Sequence, residues 1–450
     1  MNFRVLACIV ALFSLTSAGC KTPQSKNMSD IKFNGYDNQR YKMRFENTFI
    51  APADTPESKV LDEAYGSLRF LFGAFQWHKE FVSYKGIPHN KPSVKITKKD
   101  LVEENGVQVL KVTYVFDDEV VFNKSLNKTA IEFWMPKDRQ AIYKMGEVEG
   151  KFPCTDPTYT TAGDFWYFWN PENPGCPAKF KEGLNRVKAT FAAIPNTLNK
   201  YPLYGKLGSN KTRLVYIAHG ADKKLVADDP GMKAYSGTLI ELARLGFVEK
   251  EVLADTEEEK HLVYSANQKN YTVEVHVGLF KSGSPQFTVY GRQGLSTADV
   301  FIYNGHSGLG GFLPPSRFAP LTLPKKYQIF MFNGCSTFAY YNQNYFDKKK
   351  EVTGRPGSES LEIITTGLEA WFGVQPYATS SLINDLLVTK SHLKWEQIVM
   401  NLYNQTSKYT YGENNQWKMD PKQYSAHYQV NGDEDNPSDL ATALLGGDAP

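Results

Sequence analysis

The sequence predicts an α/β protein, with a mainly parallel, doubly wound sheet preceded by a β-rich, aromatic N-terminal domain. Three observations carry this. Val300-Phe301-Ile302-Tyr303 and Gln328-Ile329-Phe330-Met331-Phe332 are continuous apolar runs bounded by Gly and polar residues, the pattern of strands buried on both faces. From about residue 206 such runs alternate with stretches of helical periodicity. Residues 31–205 are instead dense in rings and carry Asn105-Gly106, the strongest short hairpin signal.

The first segment reads as an export signal. Asn2, Phe3 and Arg4 precede an apolar core from Val5 to Leu15, which defines a signal peptide over 1–19. Ser17-Ala18-Gly19-Cys20 resembles a bacterial lipobox, which would make Cys20 a lipidated N-terminus; a plain secretory signal cleaved near Ala18 is the alternative. Lys21 after Cys20 points, by the same resemblance, to the outer membrane of a bacterial cell envelope. Residues 20–30 are polar and Lys/Ser-rich, as in a tether.

Within 31–205, Asp54-Thr55-Pro56-Glu57 predicts a helix start running toward Phe81. Val94–Glu103 and Val107–Phe116 form the hairpin, and Ala130–Trp134 and Phe165–Trp169 read as further strands. So many rings together belong to core and inter-domain packing rather than to a ligand box. Over 206–410 the order is a strand at Leu214–Ala218, a helix at Lys233–Leu245 stopped by Gly246, and a strand at Tyr271–Phe280 that could be an antiparallel insertion. The two apolar strands follow, then a strand at Leu361–Thr366 and helices at Ser380–Leu387 and Lys394–Tyr403. Trp395, Ile398, Val399 and Leu402 share one face of the last helix. Residues 411–450 read as a C-terminal extension. In it, Asn431–Asn436 lacks EF-hand spacing and reads as a solvated acidic turn, and Leu440–Pro450 as a frayed tail.

Lys+Arg of 51 against Asp+Glu of 48 leave a net charge of +3 and no basic stripe, so neither nucleic acid nor an anionic lipid surface is indicated as a partner. No second apolar stretch is long enough to span a bilayer, so membrane contact rests on the lipid anchor alone.

The chain holds five cysteines. Cys8 leaves with the signal and Cys20 takes the lipid. In an oxidising exported setting, Cys154 and Cys176 are expected to form a local disulfide. That leaves Cys335 as an unpaired thiol, placed after a strand and beside Gly334, where reactivity is the better reading than a buried small hydrophobe. His306 follows the neighbouring apolar strand in the same way, within Asn304-Gly305-His306-Ser307-Gly308. If the two strands are parallel neighbours, thiol and imidazole emerge on one rim, as a Cys/His nucleophilic site requires. His219-Gly220 also follows a strand and makes His219 the runner-up histidine. Gly305-His306-Ser307 could also begin an esterase nucleophile elbow at Ser307. Gly310, Gly311, Pro314 and Pro315 disfavour the helix that such an elbow needs, which leaves a serine esterase at Ser307 as the second alternative function. His276 sits mid-strand and reads as a packed or edge histidine, and His78, His89, His261, His392 and His427 show no ligand spacing with one another, so neither metal nor other cofactor is called for.

The order of these motifs resembles the caspase/gingipain superfamily of cysteine peptidases, over roughly residues 206 to 410. In that family a hydrophobic strand ends in His-Gly and the next ends in a small residue and the nucleophilic Cys. The resemblance implies a caspase-like sheet, a peptide or protein substrate, Cys335 as nucleophile and His306 as general acid/base. It also implies an oxyanion site from the amides near them, at Ser307, Gly308 and Gly334. Ser307 stands where the family has Gly, so either its amide serves or activity is lost, which would leave a non-enzymatic surface lipoprotein on the same fold. An activated thiolate with a lowered pKa is the corresponding expectation for Cys335.

Overall fold

The computed structural model describes residues 34–445 except 37, 77–80, 85–92, 105, 125, 127, 156–164, 195–197, 209–210, 223–224, 342, 368 and 408–426. The signal segment, Cys20, the tether, His78 and His89 lie outside the described residues.

After a short strand β1 (Asn34–Gly35), strands β2 (Asn38–Pro52), β3 (Phe81–Tyr84), β4 (Val94–Glu104), β5 (Val107–Asn123), β6 (Ala130–Pro136) and β7 (Leu184–Ile194) follow. β2 to β7 form a six-stranded antiparallel sheet. β2 lies between β5 and β7; β3 and β4 pair with β5, and β6 pairs with β7. Tyr41, Met43, Phe45, Phe49 and Ala51 bury one face of β2 by strict alternation. The expected helix from Pro56 to Phe81 is broken. A 3₁₀ turn at Glu57–Lys59 leads into Val60–Leu68, and a separate helix spans Leu71–Gln76. Gly73 fits there because a Cβ would meet the Trp169 carbonyl at 2.8 Å. Phe165–Trp169 is also corrected, since Phe165–Phe168 is a helical turn and not a strand. That turn buries Phe165, Trp166 and Tyr167 together.

The second sheet has nine strands, adding β8 (Thr212–Ala221), β9 (Val248–Asp255), β10 (Glu259–Asn267), β11 (Thr272–Lys281), β12 (Val300–Asn304), β13 (Gln328–Asn333), β14 (Leu361–Thr366) and β15 (Tyr428–Asn431). Their order is β1-β15-β14-β13-β12-β8-β11-β10-β9. β8, β11, β12, β13 and β14 are parallel, and β1, β15, β10 and β9 extend them antiparallel. The predicted doubly wound, mainly parallel sheet is therefore present. β11 is not itself an insertion: it pairs parallel with β8, and the antiparallel addition is the β9–β10 hairpin beyond it. Asp229 caps the helix Pro230–Arg244, its carboxylate accepting from the Gly231 and Met232 amides, so this helix starts before Lys233. Helices at Pro285–Thr297, Gln343–Thr353, Gln375–Ile383 and Trp395–Ser407 complete the layers.

The apolar residues of β12 and β13 are buried on both faces. Val300, Ile302, Ile329 and Met331 meet the helix layer that contains Trp395 and Leu382. Phe301, Tyr303, Phe330 and Phe332 join a continuous core that extends through Phe72, Trp169 and the rings of the six-stranded sheet. The aromatic segment is thus core, as its composition implied.

The residues beyond 410 are more than an extension, because β15 pairs with β14 inside the large sheet. The Asn431–Asn436 turn is likewise not solvated: Asp433 and Asn436 are buried, and Asn436 donates to the Tyr201 carbonyl at 2.8 Å and to Glu362. Leu440–Leu444 forms a short helix capped by Asp439. Burial pushes the Glu362 carboxyl up to about 8, against hydrogen bonds from Tyr327 and Asn436. The folded state therefore binds more protons than the unfolded one between the ordinary carboxyl range and about 8, and stability falls as pH rises through that window. Glu362→Gln should flatten this slope in urea unfolding at pH 5 and pH 8; an unchanged slope would show that Glu362 is ionised throughout.

Candidate functional site at the carboxyl rim

The chain runs from β8 outward to β11 and then returns to β12 on the other side of β8. The strand order thus reverses at β8/β12, and open α/β sheets bind ligands outside the carboxyl ends at such a point. Three side chains leave the sheet there: Asp222 just past β8, His306 past β12 and Cys335 past β13. Asn304 and Asn333 are paired across β12 and β13, and His306 and Cys335 each stand two residues further on. The structure therefore brings both predicted residues to the same level of one rim.

A buried polar row fixes the strand ends below them. Asn333 Nδ2 donates to Asn304 Oδ1 at 2.9 Å, and Asn304 Nδ2 donates to Thr379 Oγ1 at 2.9 Å. Tyr428 Oη donates to Asn333 Oδ1 at 2.9 Å, and Gln375 Nε2 to the Asn333 carbonyl at 3.1 Å. All five residues are buried. β15, paired with β14, contributes Tyr428 to this row.

The two loops touch each other. The Gly305 amide donates to the Asn333 carbonyl at 3.3 Å, and a Cβ on Gly334 would lie 2.8 Å from the Gly305 carbonyl oxygen. Only glycine allows that approach. Gly334 is held from behind by the Thr366 hydroxyl, which donates to its carbonyl. Ser307 is buried and its carbonyl accepts from Tyr341 Oη at 2.5 Å. The Ser307 amide has no protein acceptor among the described residues, and lies 3.3 Å from the same Gly334 Cβ position. Gly308 begins a 3₁₀ turn over Gly308–Gly310, not the helix of an esterase elbow, and the burial of Ser307 denies its hydroxyl the exposure an elbow gives.

His306 is half-exposed. Its Nε2 stands 3.8 Å from Asp222 Oδ1, and its ring meets Phe372 edge-on at 5.0 Å. Tyr303 Oη donates to the His306 carbonyl at 2.7 Å. Cys335 is a free, half-buried thiol, and Cys154 and Cys176 form the predicted disulfide. The expected acidified thiol is not what the structure shows. Burial, reinforced by the Glu369 carboxylate, pushes the Cys335 thiol up to about 12, against the Ala370 amide. His219 is not presented on the rim: it is paired with Asn304, fully buried, edge-on to Tyr235, and burial pushes its pKa down to about 3.

Asp222, Glu369 and Tyr167 were not singled out by sequence. Asp222 had one usable signal, its position just past the first parallel strand. Glu369 comes from a loop and Tyr167 from a helical turn, and the approach of both to Cys335 depends on tertiary packing.

No family model matches the chain, and no curated protein matches it. Among solved structures it is similar to a secreted C11 cysteine protease from Bacteroides thetaiotaomicron, "iotapain", at 9% sequence identity and a TM-score of 0.25. That match covers 44% of this chain and 62% of the other, less than two thirds of its length, and so slight a similarity adds no argument about the site.

Proposed function

We propose that the chain is an exported, lipid-anchored cysteine peptidase or a related acyl-transfer hydrolase acting on a peptide or protein. The observation that carries this reading is the shared level of His306 and Cys335 on adjacent parallel strands beside the switch point. Asp222 faces His306 Nε2, which leaves Nδ1 to serve the thiol. In this reading Nδ1 takes the proton from Cys335 Sγ as the thiolate attacks the scissile carbonyl. The Ser307 amide, with those of Gly308 and Gly334, receives the oxyanion. His306 then returns the proton to the leaving amine, and water hydrolyses the thioester. Burial raises the pKa of the resting thiol, which fits proton transfer to His306 in step with attack rather than a preformed thiolate.

Asp222→Asn is expected to lower kcat by only about two- to fivefold with KM unchanged, since both partners are near half-exposed and water screens them. Loss of all activity would give Asp222 a larger role than orientation.

The raised thiol pKa favours a second reading, a non-enzymatic surface lipoprotein on the same fold. Quenched-fluorescent peptide libraries separate the two: hydrolysis that disappears in Cys335→Ser supports the peptidase, and no hydrolysis by the disulfide-intact mature protein supports the binder. Attachment through Cys20 at the outer membrane is proposed from the lipobox resemblance alone. Cys20→Ser should release the protein from membranes and end radiolabelled palmitate incorporation, and retention of the label would place the lipid elsewhere.

A further inference from the structure

Ser336 follows the candidate nucleophile and is left-handed, with φ +50° and ψ +37°. That conformation is unfavourable for a residue with a Cβ and persists only where its surroundings impose it. The carbonyl of Gly334 before it is bound by Thr366, and Thr337 after it donates its hydroxyl to the Phe332 carbonyl at 2.6 Å. Among the described residues the Ser336 side chain has one hydrogen-bond partner, from far away in sequence: Tyr167 Oη, at 3.0 Å. Tyr167 sits on the helical turn Phe165–Phe168, within the part of the chain that builds the six-stranded sheet.

That turn is built to hold its place. Phe72 lies 5.4 Å from the Tyr167 ring and 6.4 Å from Tyr340, near-parallel to the latter at 20°, so Phe72 bridges the turn to the Cys335 loop. The Arg69 guanidinium lies 4.3 Å over Trp166. Asn170 donates its amide to the Cys154 carbonyl at 2.7 Å, tying the end of the turn to the disulfide Cys154–Cys176. Tyr167 is buried, and burial, with the Glu369 carboxylate adding to it, holds its hydroxyl protonated well above the ordinary tyrosine range.

We propose that Tyr167 is a positioning residue for Cys335: by holding Ser336 in its left-handed conformation it fixes the direction of the thiol, so that the six-stranded segment completes the active site. This rests on the reading of Cys335 and His306 as a nucleophilic pair. It assigns the N-terminal half of the chain a part in the chemistry beyond packing.

The test uses the mature, disulfide-intact protein and the rate at which a peptidyl acyloxymethyl ketone labels Cys335. One neutral hydrogen bond is removed by Tyr167→Phe, so labelling should slow about three- to tenfold. Glycine adopts φ near +50° without strain, so Ser336→Gly should label at close to the wild-type rate, and adding Tyr167→Phe to it should change nothing further. A tyrosine that only fills the core would slow labelling equally in both backgrounds, and that result would overturn the proposal. So would Tyr167→Phe labelling at the wild-type rate. If His306→Ala leaves wild-type labelling unchanged, the Cys/His pairing fails first and the proposal with it. Labelling that depends on His306 but not on Tyr167 removes the positioning role alone.

Discussion

If the chain is the proposed peptidase, Cys335→Ser is expected to leave the fold intact and lower peptide hydrolysis by about 10⁴-fold or more, the largest effect expected of any single change in this chain. The reasoning is chemical. A serine hydroxyl is a far weaker nucleophile than a thiolate at neutral pH, and a site shaped around a sulfur and its longer bonds does not restore the difference through His306 alone. Cys335 is half-buried and its sulfur accepts from the Ala370 amide, contacts that a hydroxyl keeps. Circular dichroism and urea midpoints should therefore coincide with wild type while hydrolysis of a quenched peptide falls to background. Retained hydrolysis would remove Cys335 from the mechanism.

The elements that carry this site were legible because burial on both faces leaves a continuous apolar run. β12, β13 and β14 are buried along their whole length, and the sequence places each within a residue or two. β9 was invisible for the opposite reason. Val248–Asp255 is almost wholly exposed at the sheet edge, and Val248-Glu249-Lys250-Glu251 has no period to read. Phe165–Trp169 misled because a run of rings has strand propensity, while here Phe165, Trp166 and Tyr167 are buried on a helical turn. β15 is four residues long and pairs far back in the chain, so only tertiary contact defines it. The chemistry divides in the same way. His306 and Cys335 are marked by the strands that end in them, whereas Asp222, Glu369 and Tyr167 arrive from other segments.

The second large effect is on stability. Asn333→Ala should cost about 2–4 kcal/mol, because it removes two hydrogen bonds and leaves buried partners behind. Tyr428 Oη loses the oxygen it donates to at 2.9 Å, and Asn304 Oδ1 loses its 2.9 Å donor, keeping only the Thr379 hydroxyl at 3.3 Å. Thr379→Val at the edge of the same row should cost less, about 1 kcal/mol, since one hydrogen bond is involved at each side of one hydroxyl. Urea unfolding of both variants gives the comparison. An Asn333→Ala variant within 0.5 kcal/mol of wild type, a threshold of about one ordinary surface substitution, would mean the row does not hold the two strand ends together.

The coupling of Cys335 to His306 is measured most directly by second-order labelling of Cys335 with a peptidyl acyloxymethyl ketone across pH 5–9, in wild type and in His306→Ala. A substrate-like electrophile draws on the proton transfer that a resting thiol with a pKa near 12 cannot supply by itself. Wild type should label about 10²-fold faster than His306→Ala across that range. Iodoacetamide, which needs free thiolate, should react slowly with both and faster only toward alkaline pH. Acyloxymethyl ketone labelling at the same rate in wild type and His306→Ala would contradict the account.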